Sequence, residues 1–271
     1  MKRAISRPPL FRIERLSTTR REEAHYPFTV PTIRSMEALD VRARVLFFVG
    51  ENGSGKSTLL EALALACGFG IEGGTRNLRF STRAPDLERE GTADPIGSLA
   101  DALRLSWSGR HQRDGFFLRA ESFFNVATEI DRGDHNSNYG SKSLHDRSHG
   151  ESFLTLFFER FSKAGLFLLD EPEAALSVSR QLAMLVRMND LLAADERTQF
   201  IIATHSPILL AFPDAQIVSF DGARLRDIDY RETDAYALTR RFLTDPKRAV
   251  ATLFRDEDGV SIDDDVEPGG A

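Results

Sequence analysis

Eight residues restrict this chain more than any others. Gly50-Glu-Asn-Gly-Ser-Gly-Lys-Ser57 fits the pattern G-x-x-x-x-G-K-[ST]. The run Val45 to Val49 before it is apolar and β-favouring. Lys56 to Cys67 after it places Leu59, Leu60, Leu63 and their neighbours on a broad apolar helical face that Gly68 ends. The prediction is therefore strand, glycine loop, helix. Residues without a Cβ let successive backbone N–H groups curl around a phosphate, and the helix N-terminus adds positive partial charge there. The candidate phosphate-binding set is Gly50, Glu51, Asn52, Gly53, Ser54, Gly55, Lys56, Ser57 and Thr58. Lys56 is placed to reach β- and γ-phosphates, and Ser57 to ligate Mg²⁺.

Two further segments repeat the pattern of a buried strand with chemistry at its end. Gly165 to Leu169 runs into Asp170 and Glu171, and Gln199 to Ala203 runs into Thr204, His205 and Ser206. Asp170 suits a second Mg²⁺ contact, and Glu171 suits the orientation and deprotonation of a water. Between them, Ala174 to Leu192 reads as a helix, and strands alternating with helices predict a parallel sheet. Residues 27–49 read as an antiparallel layer carrying Phe28, Val30 and Ile33. Leu103 to Trp107 and Phe116 to Arg119 read as two strands joined through the polar turn Ser108 to Gly115. Residues 69–98 lack periodicity and read as a mobile surface segment, 122–150 as a short helical lobe, and Phe153 to Phe161 as an amphipathic helix used for packing. The tail from Arg255 is dominated by aspartate and glutamate, and is expected to stay without fixed structure.

A net charge of −6 argues against a globally basic nucleic-acid binder. Arginines nevertheless cluster at Arg12 to Arg21 and at Arg240 and Arg241, as solvated faces or as phosphate-tracking patches. A single cysteine, Cys67, excludes an internal disulfide and is expected to be buried. The basic N-terminus lacks a following apolar stretch, and no run of about eighteen apolar residues occurs. A cytoplasmic protein without membrane insertion is expected.

The motifs at 50–57, Ser148-His-Gly-Glu-Ser152, Leu169-Asp-Glu-Pro-Glu173 and Thr204-His-Ser-Pro207, in this order, resemble those of ABC-class ATPases. The resemblance covers residues 26–220 and is nearer to the soluble RecF/SMC-like and OLD-like group, called AAA-family proteins, than to transporter subunits. It implies an α/β P-loop NTPase fold of ABC type, with a mainly parallel central sheet, an N-terminal antiparallel β layer and a short inserted helical lobe. One domain would cover 1–254, with 122–150 as the lobe and 255–271 as the acidic tail. The implied ligands are ATP and Mg²⁺, with Glu171, His205 and Lys56 catalytic.

Ser148 and Gly150 are the matching residues of a degenerate signature, which would contact ATP held by a second chain. Glu121 stands where the family carries a glutamine that senses Mg²⁺, and Ser177 where it carries an aspartate. Tyr26 would stack on adenine or pack in the core. The implied partner is a second copy, closing head to tail when ATP binds, with nucleic acid as a further candidate. The alternative is the ATPase subunit of an ABC transporter with a separate membrane partner.

Overall fold

In the computed structural model, residues 7–70, 73–75, 95–109, 114–120 and 164–255 are described. In chain order the strands are β1 (Leu10–Arg15), β2 (Ala38–Asp40), β3 (Val45–Val49), β4 (Leu103–Trp107), β5 (Gly115–Arg119), β6 (Leu166–Asp170), β7 (Gln199–Ala203), β8 (Gln216–Ser219) and β9 (Arg226–Asp227). The helices are α1 (Pro31–Ser35), α2 (Lys56–Ala66), α3 (Pro95–Asp101), α4 (Val178–Ala194), α5 (Pro207–Leu210), α6 (Asp234–Thr244) and α7 (Pro246–Arg255).

The main sheet has the order β5-β6-β7-β3-β8-β9, with parallel pairing throughout except at β9. Its inner strands are continuous apolar runs because both faces are covered. Side chains alternate along each strand. Leu46, Phe48, Leu168, Ile201 and Val218 therefore pack with Leu59, Leu60 and Leu63 of α2 on one face. Phe47, Phe116, Phe167, Phe200, Ile202 and Ile217 pack with Met184 and Met188 of α4 on the other. Phe167 and Phe200 stack with ring centres 5.0 Å apart.

A second, antiparallel sheet has the order β2-β1-β4. The fully buried amide of Gln199 ties it to the main sheet, accepting from the Leu10 N–H at 2.8 Å and donating to the Leu10 carbonyl at 2.9 Å. One side chain on β7 thus satisfies both backbone groups at the start of β1.

The fold class read from sequence holds, but several segments differ. The antiparallel layer begins at Leu10, and its first strand runs into the arginine cluster at Arg12 and Arg15, whereas the Phe28 to Ile33 region is not a strand. Pro31 opens a one-turn helix instead, at a position where its missing N–H costs nothing. Of the clustered arginines, Arg12 pairs with Glu14 and Asp40, and Arg15 pairs with Glu23 at 2.7 Å. β4 and β5 are both strands, yet they lie in different sheets rather than facing each other across a turn.

Within 69–98, Pro95–Asp101 is helical and buries Ile96 and Leu99. The helix expected at Ala174 to Leu192 is split. A 3-10 turn covers Pro172–Ala175, and α4 starts at Val178 after Ser177 in extended conformation. Glu121, the lobe at 122–150 with Ser148 and Gly150, the helix at Phe153 to Phe161 and residues 256–271 of the tail lie outside the described residues. Among the described residues, no helix is long and apolar enough to cross a membrane.

Candidate functional site

β6, β7 and β3 are neighbours in the sheet, so the loops leaving their carboxyl ends converge at one edge. That edge is where open parallel sheets bind ligands. The loop after β3 turns through Gly50, Gly53 and Gly55 at φ of 139°, 80° and 103°, conformations that side chains resist. Gly55 has no room either: a Cβ there would sit 2.9 Å from Val30 Cγ1 and 3.0 Å from Thr32 Oγ1. Thr32 donates to the Ser54 carbonyl at 2.6 Å, so the short helix α1 braces the loop from below. On the other side Asp221, just past β8, accepts from the Glu51 N–H at 2.8 Å and from Ser219 Oγ at 2.9 Å.

Lys56 starts α2 and is 4% exposed. Its ammonium donates to the carbonyls of Gly50 at 2.6 Å and Glu51 at 2.8 Å, holding the loop curled. Burial pulls its pKa below the usual range, against Glu171, Asp221, Asp170 and Glu173, which favour the charged form. Ser57 donates to Asp170 Oδ1 at 2.9 Å. Arg119, in register with Asp170 across β5 and β6, lies with Nε 3.7 Å from Asp170 Oδ2 and Nη2 3.0 Å from Glu61 Oε1.

Burial pushes Asp170 from 3.8 up to about 6, in spite of the Ser57 hydrogen bond and the Arg119 charge. Two hard oxygen donors side by side, one a carboxylate held at a desolvation cost, fit a divalent cation such as Mg²⁺. That cost is measurable. The Asp170 carboxyl is protonated in both folded and unfolded chains below about pH 3.8, and its burial then costs nothing. As pH rises the unfolded chain ionises first, and stability falls until the folded carboxyl also ionises near pH 6. Asp170→Asn should therefore stabilise the metal-free protein by about 2–3 kcal/mol at pH 7.5. The gain should shrink by about half at pH 5, as read by denaturant titration at the two pH values.

Glu171 adopts a left-handed backbone at φ 47°, unusual for a side-chain-bearing residue and costing roughly 1–3 kcal/mol. Its N–H nonetheless bonds the Ala203 carbonyl at 2.9 Å. The turn directs its carboxylate toward His205, with Oε1 and Nε2 3.9 Å apart and both side chains about two-fifths exposed. The His205 N–H donates to Glu173 Oε1 at 2.6 Å, tying the loop after β7 to the loop after β6. Ser206 then caps α5, accepting from Ile208 and Leu209 while donating to Gln181 at 2.6 Å. Glu51, Asn52, Glu171 and His205 line a cleft of about 510 Å³. Tyr26 is 52% exposed and its hydroxyl meets Thr58 Oγ1 at 3.0 Å, so it is not a core residue.

Gly50 to Thr58, Asp170, Glu171 and His205 are thus brought to one edge. Thr32, Arg119, Glu61 and Asp221 join them without having been singled out, and Glu173, quoted in the 169–173 motif without a role, joins them as well. Asp221 and Gly222 form a recognisable Asp-Gly turn, but nothing in the sequence attaches that turn to the glycine loop.

Residues 33–164 match a family model described as "AAA domain", and residues 152–211 match one described as "AAA domain, putative AbiEii toxin, Type IV TA system". A comparison with curated proteins found no match. Among solved structures, the chain is similar to an ATP-binding subunit of an ABC transporter, at 15% identity, TM-score 0.47, covering 90% of this chain and 99% of that one. It is likewise similar to cbiO1 from Clostridium perfringens, part of the ABC transporter complex cbiONQ, at 15% identity, TM-score 0.47, covering 91% and 99%. The SMC head domain from Thermotoga maritima gives 16% identity, TM-score 0.40, covering 81% and 98%. Likeness of this degree says nothing about what the chain acts on. With its glycine loop and its carboxylate-ended neighbouring strand, the chain has a P-loop architecture, and over residues 33–164 and 152–211 it is similar to AAA domains.

Proposed function

We propose that the chain binds Mg-ATP at this edge and hydrolyses it, and that two chains close head to tail around the nucleotide. The observation that carries the reading is the pair Glu171 and His205 lining one cleft with Glu51 and Asn52 of the glycine loop, and Ser57 at the end of that loop bonded to Asp170.

The backbone N–H groups of the loop and the N-terminus of α2 receive the phosphates. Lys56 exchanges its two carbonyl partners for β- and γ-phosphate oxygens, which lowers the cost of its buried charge. Ser57 and Asp170 would hold Mg²⁺, which when bound neutralises charge developing on the β- and γ-oxygens. Glu171 orients a water and takes its proton as the water oxygen bonds to the γ-phosphorus. The bond to the bridging oxygen breaks, and ADP and phosphate leave. His205, held by Glu173, supports the water and the γ-phosphate. Tyr26, exposed beside the first turn of α2, is available to adenine.

The exposure of Glu171 and His205 supports a second chain as the closing wall, and Ser148 and Gly150 would supply that wall's contacts. The buried thiol of Cys67 accords with a reducing, cytoplasmic setting. A site completed by two chains makes turnover depend on protein concentration. Phosphate release per chain should rise with concentration and then level off, and should need Mg²⁺. A rate per chain that stays constant across the dilution series would overturn the shared site.

A further inference from the structure

Helices α6 and α7 pack against each other and leave a groove of about 780 Å³, far from the glycine loop in sequence and lined by Arg231, Arg240, Arg241 and Arg248. All four are exposed, and among the described residues none of them forms an ion pair. The acid in the groove, Asp245, is engaged in capping α7, accepting from the Arg248 N–H at 3.0 Å. Four cations facing one recess repel each other, in a chain whose overall charge is −6. An anionic ligand removes that penalty.

We infer that this groove binds single-stranded nucleic acid through its phosphodiester backbone. Arginine forks match phosphate oxygens two at a time, which lysine does not. Tyr236 also borders the groove, with the Arg240 guanidinium 5.9 Å from its ring centre and the Tyr230 ring 4.8 Å away. Arginine beside an aromatic ring is the combination that takes successive bases of an unpaired strand, with the strand's bases exchanging for the arginine on the ring. A membrane surface fits less well. The exposed Leu238, Leu243, Leu253 and Phe254 of these helices do not line the groove, whereas interfacial binding needs the apolar and basic surfaces side by side. Tyr230, the neighbour of the groove's Arg231, donates to the Pro207 carbonyl at 3.0 Å, two residues beyond His205.

The test is fluorescence anisotropy of a labelled oligothymidylate with the full chain, without ATP, across 50 to 200 mM salt. The log–log salt slope for four phosphate contacts is expected to be about −3. Arg240→Glu with Arg241→Glu should weaken binding at least about tenfold and bring the slope to about −1.5, and Tyr236→Ala should weaken it about tenfold with the slope kept. Unchanged melting temperature and basal phosphate release in these variants confirm intact folding. Absence of binding at 50 mM salt, binding insensitive to the charge reversals, or capture of phosphatidylserine vesicles without the oligonucleotide would each overturn the inference. Because the assay contains no ATP, its failure leaves the hydrolysis reading standing, and failure of hydrolysis leaves the groove standing.

Discussion

Glu171→Gln should lower steady-state ATP turnover by about two to three orders of magnitude while leaving ATP affinity within a few fold. The amide keeps the length and shape of the carboxylate and the hydrogen bond from the residue 171 N–H to Ala203. It tolerates the left-handed backbone no worse than glutamate does. It loses the ability to take a proton from water. On the proposed reading, affinity is carried by Gly50 to Ser57, and the substitution does not touch the hydrogen bonds by which Lys56 holds that loop. Parallel measurement of phosphate release and of ATP binding by calorimetry separates the two effects. Equal losses in both would place Glu171 in binding rather than in the chemical step.

The second large effect is structural. Gly115→Ala should destabilise the protein by about 3 kcal/mol or more, because no relaxation short of parting two strands makes room for the methyl group. Gly115 sits at φ 155°, and a Cβ there would lie 2.2 Å from the Leu166 carbonyl oxygen and 3.0 Å from Phe69 Cζ. Gly165 crosses the same point from the other side, where a Cβ would meet the Asp114 carbonyl at 2.8 Å. The consequence reaches the site, since the β5–β6 register that begins at Gly115 opposite Leu166 ends with Arg119 opposite Asp170. A fall in melting temperature of roughly 6–12 °C is expected for a domain of this size. An unchanged melting temperature would mean that the strands do not cross as closely as described.

The parts legible from sequence are those where local pattern and tertiary environment agree. β3, β6 and β7 are buried on both faces, so each reads as a continuous apolar run, and the glycine loop and α2 follow from residue type alone. The carboxylates and the histidine were found because they directly end such runs. β1 was hidden because Arg12 and Arg15 alternate with its buried Leu10 and Ile13, so the segment reads as a basic cluster. Its attachment depends on Gln199, a contact 189 residues away. α1 is five residues long, too short for any periodicity to show, and its function as a brace lies in one threonine hydroxyl.

Arg119 and Asp221 belong to the same class of omission. Each ends or follows a strand and acts by reaching across to another loop, which no spacing along the chain encodes. The C-terminal hairpin had signals that could have been used: Thr233 caps α6, and Pro246 opens α7 after Asp245. Arg240 and Arg241 were visible as a pair, but their convergence with Arg231 and Arg248 required the fold.

The account turns on ATP being held between two chains until Glu171 acts. The most direct measurement is the solution mass of the Glu171→Gln variant with Mg-ATP and with Mg-ADP. A dimer with ATP and a monomer with ADP is the predicted result, since the γ-phosphate is what the second chain would grip and the variant cannot remove it. The same mass with both nucleotides would contradict the account.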